Sequence, residues 1–197
     1  ILPFAWRDIY WEDSMHDFSN SYKKLLVTPS FNIRYDLSSR QNLQLTYYRT
    51  QQTGKIWNLY RGAVMVDYLT FRNSRSALPY LITDIAEARY SVESIPHMLF
   101  YKLGYQFSST YSNILGTKNV GNQQIEIGVV NTGNRIESQA INTSISKFIN
   151  VLGGKVSLSG EIQQRRMSQL FNGQLLSTKT NMLSLQPSIN AQASRQL

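Results

Sequence analysis

Apolar and polar residues alternate with a period of two through most of the chain, the pattern of a strand whose successive side chains point to opposite faces. From Val27 to Leu37 the odd positions are Val27, Pro29, Phe31, Ile33, Tyr35 and Leu37, and the even ones are Thr28, Ser30, Asn32, Arg34 and Asp36. After a short connection over 38–42 the pattern resumes with Leu43, Leu45 and Tyr47 against Gln44, Thr46 and Tyr48, which predicts a hairpin. Ala86, Ala88, Tyr90 and Val92 then alternate with Glu87, Arg89, Ser91 and Glu93. A tight Ser94-Ile95-Pro96 turn leads into Leu99, Tyr101, Leu103, Tyr105, Phe107 and Tyr111, with Lys102, Gly104, Gln106 and Ser108 on the other face. A weaker strand over 140–148 meets Gly153-Gly154, where glycine's easy access to positive φ suits a turn. Val156, Leu158, Gly160 and Ile162 follow, and a last alternating run goes from Leu183 to Ala193. The pattern predicts an all-β chain of about seven strands.

The predicted connections are short near residues 38, 95 and 153 and long over 51–83, 112–134 and 168–178, so tight turns gather at one end and long loops at the other. That asymmetry belongs to outer-membrane barrels, with short periplasmic turns and longer extracellular loops. One predicted face is apolar enough for lipid. The other carries Asn32, Arg34, Glu87, Arg89, Lys102, Gln106, Glu161 and Asn190, which a watered lumen tolerates. Tyr35 near a short turn and Tyr111 near a long loop sit where interfacial girdles would be. The same alternation also permits a soluble, secreted β-sandwich that binds carbohydrate.

Composition narrows the choice. Hydrophobic residues make up 42% of the 197, enough for a core, yet no stretch reaches the roughly 18 consecutive apolar residues of a membrane helix. Cysteine is absent, which removes disulfides, thiolate metal sites and thiol catalysis. The net charge of +8 comes from dispersed residues whose densest groups are Lys23-Lys24 and Arg165-Arg166, so no nucleic-acid partner is expected. Twelve Tyr, eight Phe and three Trp fit a surface where apolar matter meets water. No signal sequence opens the chain at Ile1, so one is expected upstream or already removed.

The run Pro29-Ser30-Phe31-Asn32-Ile33-Arg34-Tyr35 through Leu43-Gln44-Leu45-Thr46-Tyr47 resembles the barrel of TonB-dependent outer-membrane receptors and their outer-membrane β-barrel relatives. Leu59-Tyr60-Arg61-Gly62 with Asp67-Tyr68 and Leu78-Pro79 is similar to their long loops. Asn131-Thr132-Gly133-Asn134-Arg135, followed by Gly154-Lys155-Val156-Ser157-Leu158-Ser159-Gly160, is similar to their late strand pairs. The resemblance implies an antiparallel transmembrane β-barrel segment, about seven meander strands of a barrel of about 22. Residues 1–197 would all belong to that one domain, with 1–20 an extracellular loop and 21–197 the strands, turns and loops. No plug domain or TonB-contacting segment is found, and the chain ends Arg195-Gln196-Leu197 rather than on an aromatic residue, so it reads as an internal fragment. The function implied is uptake of a scarce nutrient, whether siderophore, vitamin, oligosaccharide or peptide, across the bacterial outer membrane with TonB-type energy coupling. Implied partners are outer-membrane lipid, the plug and remaining strands of the same protein, the TonB complex and a surface lipoprotein.

Candidate chemistry is sparse. Asp8, Glu12, Asp13, His16 and Asp17 form the densest polar cluster, but without a second nearby histidine a solvated loop is the stronger expectation. His97 falls in a turn, and two histidines so placed assemble no Ser-His-acid triad, so an outer-membrane hydrolase ranks last and no enzyme, metal or cofactor site is expected. Gly116 and Gly121 have phosphate-loop spacing, but Asn122-Gln123 stands where Lys and Ser or Thr are required. Asn142-Thr143-Ser144 fits a glycosylation acceptor but lies in a predicted strand. The long loops also hold Trp6, Tyr10, Trp11, Trp57, Tyr60, Tyr68, Phe71, Arg72 and Arg75. Trp57, Tyr60, Tyr68, Phe71, Arg72 and Arg75 are the candidate ligand contacts, since aromatic platforms suit sugar rings and aromatic chelates, although loop packing or a place in the outer interface is the stronger expectation for them.

Overall fold

The computed structural model describes residues 3–13, 18–54, 63–74, 78–121 and 123–191. The chain is all-β, with no α-helix among these residues and one 3₁₀ turn, Asn150–Leu152. Seven long strands form an antiparallel meander: β3 (Ser30–Ser38), β4 (Gln41–Thr53), β7 (Tyr80–Ser94), β8 (Leu99–Ser112), β11 (Asn134–Ile149), β12 (Gly154–Phe171) and β13 (Gln174–Ala191). They coincide with the seven alternating runs, and each pairs with the next. The described strands leave an open sheet rather than a closed barrel, with β3 and β13 as the meander's edges.

The structure differs from the sequence pattern at four places. Residues 1–20, expected as loop, include β1 (Phe4–Asp13), which pairs residue by residue with β2 (Phe18–Val27) in a two-stranded sheet. The run beginning at Val27 is split, because Thr28-Pro29 separates β2 from β3 and proline cannot donate to a ladder. The long connections over 51–83 and 112–134 contain β5 (Ala63–Met65), β6 (Thr70–Ser74), β9 (Leu115–Val120) and β10 (Ile125–Val130). The stretch 168–178 is no long loop: β12 runs to Phe171, which pairs with Gln174 across a two-residue turn. Asn172 (φ 47°) and Gly173 (φ 77°) both take the left-handed conformation, as a type I′ hairpin turn requires. Gly173→Val should weaken the β12–β13 hairpin by about 1–2 kcal/mol, the cost of a side chain in that conformation. Gly173→Asn should restore most of the loss, read as the shift in urea midpoint.

Cross-strand register turns alternation into a surface. Ile33, Leu45, Ala88, Tyr105, Ile141, Ile162 and Leu183 are successive partners across all seven meander strands and share one face. A parallel row holds Tyr35, Leu43, Tyr90, Leu103, Thr143, Gly160 and Leu185. On β8 this apolar belt runs from Leu99 to Phe107, roughly nine residues, against the 9–11 with which a tilted strand crosses a bilayer. The belt is uncovered: Ile33 is 54% exposed, Ile162 56% and Leu183 68%. The surface area of the whole agrees, at 14148 Å² for 22.6 kDa, where a folded soluble monomer of that mass exposes about 9,500 Å². Among the described residues the buried apolar side chains are Leu78, Leu115 and Ala140, with Pro79 wholly enclosed. Of these, Leu78, Pro79 and Leu115 lie in the long connections, where Asn113 accepts from the Tyr80 N–H (2.8 Å) and donates to the Leu78 carbonyl (3.1 Å).

Toward the long-connection end the belt stops at a charged row. Arg49, Asp84, Ser109, Glu137, Arg166 and Lys179 are successive partners on the apolar face, one row beyond Tyr47, Ala86 and Phe107. Of β7, only Ala86 to Val92 belong to the belt, and Asp84 lies outside it. Arg49 Nε and Nη2 donate to Asp84 Oδ1 (2.7 Å) and Oδ2 (3.1 Å), and the Tyr47 hydroxyl donates to Oδ1 (2.7 Å). The Arg49 guanidinium holds the Asp84 carboxyl below the usual carboxylate range, against the opposing effect of partial burial. A carboxyl whose folded pKa is depressed stabilises fully above its unfolded value of about 3.9 and loses that contribution as pH falls through the folded value. Asp84→Asn should therefore lower stability at pH 7 and match the wild type in strong acid. At 33% exposure for the Asp84 side chain, added salt should narrow the difference at neutral pH, measured by urea unfolding across pH and ionic strength.

Candidate functional site

At the long-connection end the same sheet extends beyond the meander, edge to edge, as an outer layer of short strands. β9 pairs parallel with the tip of β12 at Leu170 and Phe171, β10 pairs antiparallel with β9, and β6 pairs parallel with β10, with β5 outermost. The β12–β13 turn anchors it: the Val120 N–H donates to Asn172 Oδ1 (2.7 Å) and the Asn172 N–H donates to the Lys118 carbonyl (3.0 Å). Asn134 Nδ2 also donates to the Ser168 carbonyl (3.1 Å), tying the start of β11 to β12.

Register brings Asn73, Glu126, Gly128, Asn119 and Thr117 to one face of this layer. Asn73, Thr117, Asn119, Glu126, Leu170 and Gly173 border a cavity of about 410 Å³, within the range of small-molecule sites. Asn73 Nδ2 donates to Glu126 Oε1 (3.0 Å), which fixes the carboxylate and leaves its other oxygen available to accept. Two amides, a hydroxyl and one carboxylate beside an apolar wall suit a hydroxyl-rich or amine-bearing ligand better than an anionic one. Gly128 is required by close approach, because a Cβ there would fall on the Asn73 carbonyl oxygen.

Of the candidate contacts among the described residues, Phe71, Arg72 and Tyr68, the two on β6 point apart. Phe71 and Arg72 are neighbours on β6, so their side chains leave opposite faces: Phe71 shares the Glu126 side, and Arg72 shares the other with Ile127 and Lys118. Tyr68 is 84% exposed in the turn before β6, where the Leu69 N–H donates to Asp67 Oδ1 (2.9 Å). Trp57, Tyr60 and Arg75 lie outside the described residues. Of the acidic cluster, Asp8 pairs with its cross-strand partner Lys23 (3.4 Å) and Glu12 accepts from the Tyr10 hydroxyl (3.2 Å). His16 and Asp17 fall outside the described residues, among which no group of three acidic or histidine side chains is placed to hold a metal. Asn73, Thr117, Asn119 and Glu126 were hidden in segments read as loop, though the alternation of Ile125, Ile127 and Val129 with Glu126 and Gly128 is the mark of a short strand.

The wet face of the meander offers a second concavity, smaller at about 250 Å³ but more enclosed, bordered by Arg89, Lys102, Asn142, Ser159, Glu161 and Gln186. Arg89 Nη2 donates to Glu87 Oε1 (2.6 Å), two residues away on the same face. Gly104, between Arg89 and Asn142 in register, supplies no side chain, and the Asn142 amide occupies its place. Both charge signs are present on this wall. No family model, curated protein or solved structure matches the chain.

Proposed function

We propose that this chain is part of the wall of an outer-membrane β-barrel receptor that takes up a scarce nutrient. The observation that carries the reading is the belt: seven antiparallel strands, each paired with the next in the sheet, present an apolar face, about nine residues tall on β8, that nothing among the described residues covers. Lipid is the solvent that makes such a face stable. Open strand edges in lipid would leave backbone groups unpaired, so the reading requires further strands to complete the barrel. The polar face then lines a lumen, and its mixed charges are suited to a plug domain. The layer of β5, β6, β9 and β10 lies at the extracellular mouth, with its cavity as the first contact for ligand. Coupling to a TonB complex and cooperation with a surface lipoprotein rest on the sequence resemblance.

The competing sandwich needs a second sheet over the belt. Among the described residues the only other sheet is the β1–β2 hairpin. The deciding experiment is detergent extraction of the full-length protein from the outer-membrane fraction, followed by electrophoresis with and without heating. Membrane partition with a heat-dependent mobility shift supports the receptor; a protein that is soluble and folded without detergent would replace it with the carbohydrate-binding sandwich.

A further inference from the structure

The belt's upper border is not evenly charged. On β3, β4, β7 and β8 it ends in Phe31, Tyr47 and Phe107 with the compensated Arg49–Asp84 pair beyond them. On β11, β12 and β13 it ends in Gln139, Gln164 and Asn181, followed by Glu137, Arg166 and Lys179, and then by Arg135, Ser168 and Ser177. Arg166 and Lys179 are direct cross-strand partners, a like-charge placement that is unfavourable in itself, and Glu137 partners Arg166 on its other side. Arg135 stands one row farther on the same face. All three side chains are exposed, and among the described residues none lies within ion-pair distance of a carboxylate, while Arg135 acts on Asp84 at longer range. With Glu137 beside them, and Arg49 offsetting Asp84, the three cations leave a net charge of about +2 at neutral pH.

We propose that Arg135, Arg166 and Lys179 form a site for the phosphate of a lipid headgroup, set where the acyl belt gives way to water at the long-connection end. The inference rests on the membrane reading above. A lipid whose chains lie on Leu183 and Ile162 would bring its phosphate to the level of Arg166 and Lys179, because those residues follow the belt along the same strand faces. Guanidinium and ammonium groups together can bind phosphate oxygens through several donors at once. A lone soluble phosphate offers the same oxygens but gains nothing from the belt.

The test uses the full-length protein folded in maltoside micelles and titrated with fluorescent phosphatidylglycerol, with phosphatidylcholine and inorganic phosphate as comparison probes. The wild type should prefer phosphatidylglycerol, and the triple variant R135Q/R166Q/K179Q should lose affinity by about fivefold per cation removed. Arg165→Gln, a cation on the wet face beside Arg166, should leave affinity unchanged. An equal loss in Arg165→Gln would reduce the effect to overall charge and overturn the site. Inorganic phosphate binding as tightly as the lipid would overturn the headgroup as its ligand. A protein that folds with its heat-dependent mobility shift yet shows no phosphatidylglycerol preference sinks this inference alone; one that never folds in micelles sinks the membrane reading and the inference with it.

Discussion

Leu103→Lys is expected to destabilise the protein in lipid vesicles by about 2–4 kcal/mol, the cost of a lysine facing lipid near the bilayer midplane. Leu103 lies in the middle of the belt on β8, between Tyr90 and Thr143 in register, with Leu99 and Phe107 four residues to either side. Asn32→Lys on the wet face should be nearly neutral, since Asn32 is exposed and gives up only its hydrogen bond to Thr46 Oγ1 (2.9 Å). A sandwich core would also reject lysine at Leu103, so depth decides between the two readings. In a bilayer, the penalty for lysine at Leu99, Leu103 and Phe107 peaks at Leu103 and falls toward both interfaces. In a sandwich it would follow packing instead. Urea unfolding of the three variants in vesicles measures the profile, and a flat or inverted one would remove lipid from the apolar face.

How much of this was legible depends on whether a signal was local. The meander strands were legible because each carries several alternating pairs, a signal contained within the strand itself. β1 and β2 were not, because Trp6, Arg7, Asp8 and Lys23-Lys24 blur their alternation and the charges read as a solvated loop. The β12–β13 turn is Asn172-Gly173, a strong short-range hairpin signal, but it lies inside the polar stretch 168–178 that the alternation predicts as a long loop. Those residues are strand on both faces because β12 and β13, at 18 residues each, extend past the height of the belt, where an outward residue no longer has to be apolar.

The candidate site was less legible still. β6 meets β10 some 50 residues away through parallel pairing, and β9 meets β12 in the same way; no hairpin signal announces either contact. Aromatic and arginine residues in the long connections are candidate ligand contacts by residue type, but type says nothing of direction: the strand that holds Phe71 and Arg72 sends them to opposite faces. What the pairing assembles instead is the plainer set Asn73, Thr117, Asn119 and Glu126, whose residue types carry no motif.

Gly128→Val tests that assembly directly. A Cβ at Gly128 would fall on the Asn73 carbonyl oxygen, which is backbone and cannot swing aside, so β6 must separate from β10. The Asn73–Glu126 hydrogen bond and the cavity wall should go with it. The expected cost is about 1–3 kcal/mol, typical of forcing atoms into a closely packed place, and it should fall on the outer layer rather than on the meander. Amide hydrogen exchange should therefore accelerate across 63–74 and 125–130 while β7, β8 and β11 keep their protection. Gly116→Ala on β9 is the matched control, because a Cβ there meets nothing within 4 Å, and it should stay within about 0.5 kcal/mol of the wild type. Unchanged exchange over 63–74 in Gly128→Val would mean that β6 does not pair with β10 in solution, and the cavity would lose the strand that supplies Asn73.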